Sequence, residues 1–288
     1  LQKISREGTG YRVNLPFELK AGKSIKGVDV EQSAAGEVIG HPAQLLKDGY
    51  IHILSVGGLS SEKEAGVFLD KLTAGVLWTS LAKVVGIKVG EELYSQIGFG
   101  RATVLICNTA QQYFADISAG ASLPNAELIV HTPKLKLGSD LYNLSHFQTS
   151  DFARFATLCT ALEALAPSPA VDPLLVEKIS QWQGEARALA GEHPKASEQR
   201  EALEALAARL DNLKVRSHRQ RLRDYVLGVL KADNEEAATD LAKEIVALYD
   251  LRGRLLHDGF LEIGTQVGRL EAIMRRTLKA AFQQVGTT

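Results

Sequence analysis

Residues 248–260 read LYDLRGRLLHDGF and close the most amphipathic helical stretch of the chain. At about 100° per residue, Ala238, Leu241, Ile245, Leu248 and Leu255/Leu256 fall on one apolar stripe. Arg252 lies within about 20° of Leu241 and Ile245, on that same stripe. Arg254 falls on the opposite side and reads as solvated. The helix then ends at His257, with Asp258 beside it and Gly259 as a natural C-terminal cap. A histidine at that end has its protonated form favoured by the helix dipole. His257 is about 140° round the helix from Arg252, so a straight helix does not converge the two. Taken alone, His257 reads as a surface cap residue.

A second stretch answers the buried arginine. In DFARFATLCTALEAL, residues 151–165, Phe152, Phe155, Cys159 and Leu162 make the apolar stripe, and Glu163 projects close to Phe152 and Ala156. Two helices therefore each aim one charge inward, and the charges are opposite. An unpaired buried charge costs several kcal/mol, so pairing makes both tolerable. The wheel predicts contact between Glu163 and Arg252, or else an Arg252 that snorkels to a nearby edge.

Outward from these helices the chain has two grammars. Residues 1–145 mix short β-rich runs (YRVNLPF, GEVIGH, YIHILSV, ATVLIC, AELIVHT) with Gly, Asn, Asp and Pro punctuation. Between the third and fourth runs, Ser61 and Glu64 have the spacing of a capping box and start a helix. From about Ser150, glycine becomes rare and Ala, Leu, Glu and Arg dominate. Helices are predicted near 151–166, 173–191, 196–212, 216–231, 235–257 and 264–283. The fold class is α+β: a mixed α/β domain over 1–145, then an all-α bundle over 146–288.

Composition narrows the functional classes. The 288 residues carry 33 Lys and Arg against 34 Asp and Glu, a net charge of −1. No global field therefore draws in nucleic acid or a membrane surface, and any basic feature has to be local. Cys107 and Cys159 sit in apolar runs and read as buried, reduced thiols without metal-ligand spacing. The longest apolar stretch contains Lys83 and is too short to span a bilayer. A cytoplasmic protein that uses no cofactor and no metal is expected.

Three phrases in order carry a resemblance. Ala161-Leu162-Glu163-Ala164-Leu165 ends the first helix of the bundle. A Ser-initiated basic helix follows, from Ser217-His218-Arg219-Gln220 to Arg221-Leu222-Arg223. Then comes LYDLRGRLLHDG, with its Arg-x4-His pair. Over roughly residues 145–283 the chain resembles the HEPN superfamily, in particular its Apea-like branch. The resemblance implies a metal-independent endoribonuclease or a non-catalytic relative, a homodimer formed through this bundle, and a role in prokaryotic antiviral defence or growth arrest. It also implies an antitoxin or regulatory partner, with Arg252 and His257 as the catalytic pair; Glu163, Arg254 and Asp258 beside them are expected in support.

That assignment makes chemical sense. RNA carries its own nucleophile, the 2′-hydroxyl, so an enzyme needs only a group to move protons and a cation on the phosphate. Gly253 stands where active relatives often have a polar residue, and Asp258 where a small one is common. Gly253 favours the alternative reading, a dimeric scaffold that binds RNA or a protein. KVRSHRQRLR, residues 214–223, is a basic run that begins at Lys214, and in it Arg216, Arg219 and Arg223 recur at helical spacing; with Lys214 they either meet RNA phosphates or form a solvated face balanced by nearby acids.

Other patterns fail on their context. Gly98-Phe99-Gly100 precedes a strand, where a dinucleotide fingerprint follows one. Gly57-Gly58-Leu59-Ser60 lacks a P-loop lysine. Gly138-Ser139 lacks the aspartates of a nucleotidyltransferase. His52, in a strand, and His193, in a loop, belong to no cluster.

Overall fold

The computed structural model describes residues 4–8, 10–20, 23–26, 28–29, 32–49, 51–89, 105–167, 172–213, 217–232, 234–258 and 263–286, with backbone alone at 7, 24, 105–108 and 255–258. It has the α+β architecture expected. The antiparallel sheet joins β1 (Ile4–Glu7), β2 (Gly10–Leu19), β4 (Ala34–Val38), β5 (His41–Asp48) and β6 (Ile51–Leu59) in the order β1-β2-β6-β5-β4. A short β7 (Ile87–Val89) pairs with the far end of β2. Beside them, β3 (Lys23–Lys26) and β8 (Leu105–Thr109) pair in parallel.

Alternation decides the sheet's inner face. Val13, Leu15, Phe17 and Leu19 of β2 point one way and are buried, against Leu54 and Val56 of β6. Pro16 has no N–H to donate, and it falls between the residues that pair with β1 and those that pair with β7. The run GEVIGH is not one strand. Ile39 (φ 49°) and Gly40 (φ 76°) form the two-residue turn between β4 and β5, because paired positive φ angles match the strand twist.

Helix α1 (Glu62–Lys83) is capped by Ser61, whose side chain accepts from the Glu64 N–H. Glu64 turns its carboxylate to Ser60 instead of completing the box on Ser61. Ala65, Phe68, Leu72 and Val76 pack into the sheet's core, whereas Ala74, Leu77 and Leu81 enter a second, helical core. The helix is apolar nearly all round because both sides are covered. Across it lies α2 (Ala110–Ala121). Gly75 and Gly120 let the two backbones approach: a Cβ on Gly120 would stand 2.4 Å from Trp78 Cβ, and one on Gly75 the same distance from the Ile117 carbonyl oxygen.

The AELIVHT run is helical, a correction to the strand expected from its β-branched residues. It forms α3 (Ala126–His131), with α4 (Pro133–Ser145) directly after it. Ala126 and Ile129 lie three apart and bury one helical face in the second core.

The remaining helices fall where capping and periodicity put them: α5 (Asp151–Leu165), α6 (Pro173–Gly191), α7 (Glu198–Asn212), α8 (His218–Leu230), α9 (Glu235–Asp258) and α10 (Gly264–Gln284). Ser150, Asp172, Ser197 and Ser217 cap α5 to α8 through side-chain oxygens. Helices α4, α5, α8, α9 and α10 share the core with α1, and α6 and α7 form a hairpin joined by Gln183, which donates to the Ala207 carbonyl. Phe152 departs from the stripe expected of α5, being 45% exposed at the helix start. Among the described residues no helix is long and apolar enough to cross a membrane.

Candidate functional site

The two inward charges meet. Helices α5 and α9 pack so that Arg252 Nη1 lies 2.5 Å from Glu163 Oε1. The Tyr249 hydroxyl donates to the same carboxylate oxygen at 2.5 Å and stands 3.4 Å from Arg252 Nη1. The Arg252 side chain is 29% exposed and that of Glu163 20%, so the pair sits at the rim of the core. Burial opposes the arginine's charge, but Glu163, Tyr249 and Cys159 outweigh it and hold its pKa above the ordinary value. Burial, then Glu163, pushes the Tyr249 hydroxyl up to about 12, so it stays a donor. Beneath them the Cys159 thiol is pushed up to about 12, mainly by burial, and is an inert floor.

On its outer side Arg252 reaches solvent. A cavity of about 340 Å³ is walled by Arg219, Tyr249, Asp250, Arg252 and Gly253. Arg219 Nε is 2.6 Å from Asp250 Oδ1, which ties the start of α8 to α9. The exposed His218 ring stacks near the Tyr249 ring, with centroids 6.4 Å apart. All of Arg252's hydrogen bonds to described residues use Nη1, so its outer edge faces the cavity with donors to offer.

The other residues singled out from the sequence divide. Arg254 is exposed, as the wheel placed it, and lines a second depression between α9 and α10. Arg223 pairs with its neighbour Asp224 at 3.1 Å. Arg221 donates to the Pro167 and Ala166 carbonyls, both at 2.9 Å, and so caps the end of α5. Those parts of the basic ridge that are described are thus engaged by neighbours. His257 and Asp258 ride on the last turn of α9, and their side chains lie outside the described residues, as do Lys214, Arg216, Gly259, the Cys107 side chain and the Gly98-Phe99-Gly100 stretch. Gly57 and Gly58 belong to β6 itself and Gly138-Ser139 to α4, so neither pair forms a loop around an anion.

Tyr249 and His218 join the site through the packing of α5, α8 and α9. The available signal for Tyr249 was its place three residues before Arg252, on an adjacent helical face. His218 carried none beyond following an N-cap serine.

A second polar cluster lies between the sheet and the bundle. Arg154 Nη2 contacts Glu271 Oε2 at 2.7 Å, and His146 Nε2 comes within 3.3 Å of Glu271 Oε1 without hydrogen-bond geometry. Burial, then Arg154, Lys20 and Lys23, depresses His146 to about 3, so its imidazole is neutral. Burial likewise depresses His52, stacked on Phe17, to about 4.

Compared with protein-family models, with characterised proteins and with solved structures, the chain matched none of them.

Proposed function

We propose that the bundle formed with α5, α8 and α9 is a metal-independent endoribonuclease site, acting in a homodimer. The observation that carries this reading is the posture of Arg252. Its inner edge is held by Glu163 and Tyr249, and it lines an open cavity on the helix whose last turn carries His257. An arginine held this way loses little entropy when it takes a phosphate oxygen. It would stabilise charge as the RNA 2′-oxygen attacks phosphorus and the bond to the 5′-oxygen breaks. His257 would take the 2′-hydroxyl proton and return one to the leaving 5′-oxygen. The products are a 2′,3′-cyclic phosphate and a 5′-hydroxyl. Pairing of two α9 ends across a two-fold would bring an Arg252 and a His257 from different subunits together, which removes the angular mismatch along one helix.

The resemblance of residues 145–283 to the HEPN superfamily supports this reading and implies a setting in prokaryotic defence or growth arrest, with an antitoxin or regulatory protein as possible partner. The scaffold reading retains one specific support: Gly253 puts no side chain into the cavity beside Arg252. Purified protein incubated with total tRNA and a structured RNA in EDTA, beside His257→Ala, decides between them. Cleavage leaving cyclic-phosphate ends, abolished by the substitution, is the expected result. RNA bound without cleavage by either protein would replace the enzyme with the scaffold.

A further inference from the structure

A depression of about 840 Å³ is separate from the cavity at Arg252. It runs between α9 and α10 and reaches α1 at Trp78. Arg269, Arg275, Arg276 and Lys279 line it against one carboxylate, Glu244, which Arg269 already holds at 2.6 Å. Residues 269, 272, 276, 279 and 283 recur at helical spacing, so one face of α10 supplies most of the wall. Among the described residues Arg275, Arg276 and Lys279 have no carboxylate partner. The nearby acids are committed elsewhere: Glu271 to Arg154 and Asp116 to Lys83. Burial, then the neighbouring Arg275, lowers the Lys279 pKa, with Asp116 opposing them.

Trp78 adds a flat, half-buried ring to this groove. Lys279 Nζ lies 5.4 Å from its centroid. The groove also continues toward the candidate site. Glu244 and Arg269 are shared with the adjoining depression of about 480 Å³, which extends along α9 to Leu251 and Arg254. From Leu241 to Arg254 this track covers about 20 Å of helix. It ends one turn before His257.

We infer that the α9–α10 groove binds single-stranded RNA, with phosphates on Arg275, Arg276 and Lys279 and an unpaired base stacked on Trp78. Cations clustered without an ion-paired carboxylate fit a polyanion and release its counterions, whereas an indole face accepts any base. Lys279 leaves the ring for a phosphate when a base arrives, so one cation is held in place until it is used. Such a track holds the strand along α9 and delivers it to the end where Arg252 lies. This inference rests on the ribonuclease reading for its choice of RNA.

The test uses the full chain with Trp182→Phe, which leaves Trp78 as the only tryptophan of the two in the sequence. An oligouridylate labelled with a 5′ fluorophore is titrated in EDTA while tryptophan emission and the anisotropy of the label are followed (the label alone for the Trp78 variants), beside oligodeoxythymidylate and a duplex RNA labelled in the same way. Saturable quenching by the oligouridylate is expected, with weaker binding of both the deoxy strand and the duplex. Arg276→Ala/Lys279→Ala should weaken binding about tenfold and reduce the slope of log affinity against log salt by about 1.4, near 0.7 for each lost phosphate contact. Trp78→Ala should weaken it by a similar factor, and Trp78→Phe should recover most of the loss.

The inference is overturned by an absence of binding, by binding without a change in emission, or by an unchanged salt slope in the double variant. Stronger binding of duplex or deoxy strand would assign the groove to that ligand instead. Failure of the enzyme reading looks different: the oligouridylate binds and quenches, yet no RNA is cleaved. If RNA is cleaved while the groove variants bind and cleave as the parent does, only the groove assignment falls.

Discussion

Glu163 Oε1 accepts from both Tyr249 and Arg252, so one carboxylate oxygen sets the posture of the arginine. Removing Arg252 strands part of that charge near the core, although the rim position lets water recover some of it. Arg252→Ala is expected to cost about 1–3 kcal/mol in urea unfolding, below the full penalty for breaking a buried pair. Tyr249→Phe is expected to cost about 1 kcal/mol. Cleavage measured per folded molecule separates stability from chemistry: an unchanged rate in Arg252→Ala would make the arginine purely architectural. His52 offers the opposite case. Both its ring nitrogens are buried without a hydrogen-bond partner among the described residues, so His52→Leu is expected to stabilise the fold, most clearly near pH 5. Its folded pKa of about 4 lies below the unfolded value of 6.5. The unfolded chain therefore binds a proton first as pH falls, and stability that is complete above about 6.5 is lost toward 4. A destabilised His52→Leu at low pH would show that the imidazole contributes something the geometry does not reveal.

At the scale of elements, α1 is the piece on which both cores depend. Its crossing with α2 tolerates no side chain at Gly75 or Gly120. Gly120→Ala should lower stability by about 1–3 kcal/mol through overpacking against Trp78. Gly66, on the same helix as Gly75, has open space where its Cβ would be. Gly66→Ala is accordingly expected to stabilise by about 0.5–1 kcal/mol. Denaturant midpoints for the two variants should move in opposite directions, and shifts of the same sign would refute the packing assigned to α1. The elements also show where local reading succeeds. Helices α5 to α8 were legible because Ser or Asp caps precede strong helix formers. Helix α3 was not, since six residues rich in Ile and Val favour a strand until α1 and the bundle cover Ala126 and Ile129.

For the whole molecule, the two halves are less separable than their grammars suggest. Ala74, Leu77 and Leu81 of α1 and Leu135 and Tyr142 of α4 fill the helical core. A fragment beginning at residue 146 should consequently lack cooperative thermal unfolding, by circular dichroism, under conditions where the full chain unfolds sharply. A sharp transition in the fragment would show that α5 to α10 suffice. The seam also sets the acid response. His146 is neutral in the fold down to about pH 3, against 6.5 when unfolded, so its contribution fades as pH falls between those values.

Local rules alone place the bundle helices, their caps and the phases of Glu163 and Arg252, because periodicity and capping act within a few residues. Those phases allow either the meeting of the two charges or an Arg252 that snorkels to an edge, and the packing of α5 against α9 decides for the meeting. Their third partner, Tyr249, the double burial of α1 and the cationic groove from Trp78 to Arg254 were decided only by tertiary packing. Residues 78, 244 and 276 share no local pattern, and the chain as a whole is nearly neutral. Packing turned Glu271 toward Arg154 and Asp116 toward Lys83. Among the described residues, that left Arg275, Arg276 and Lys279 of α10 together with no carboxylate at ion-pair distance, a property of their neighbours in space.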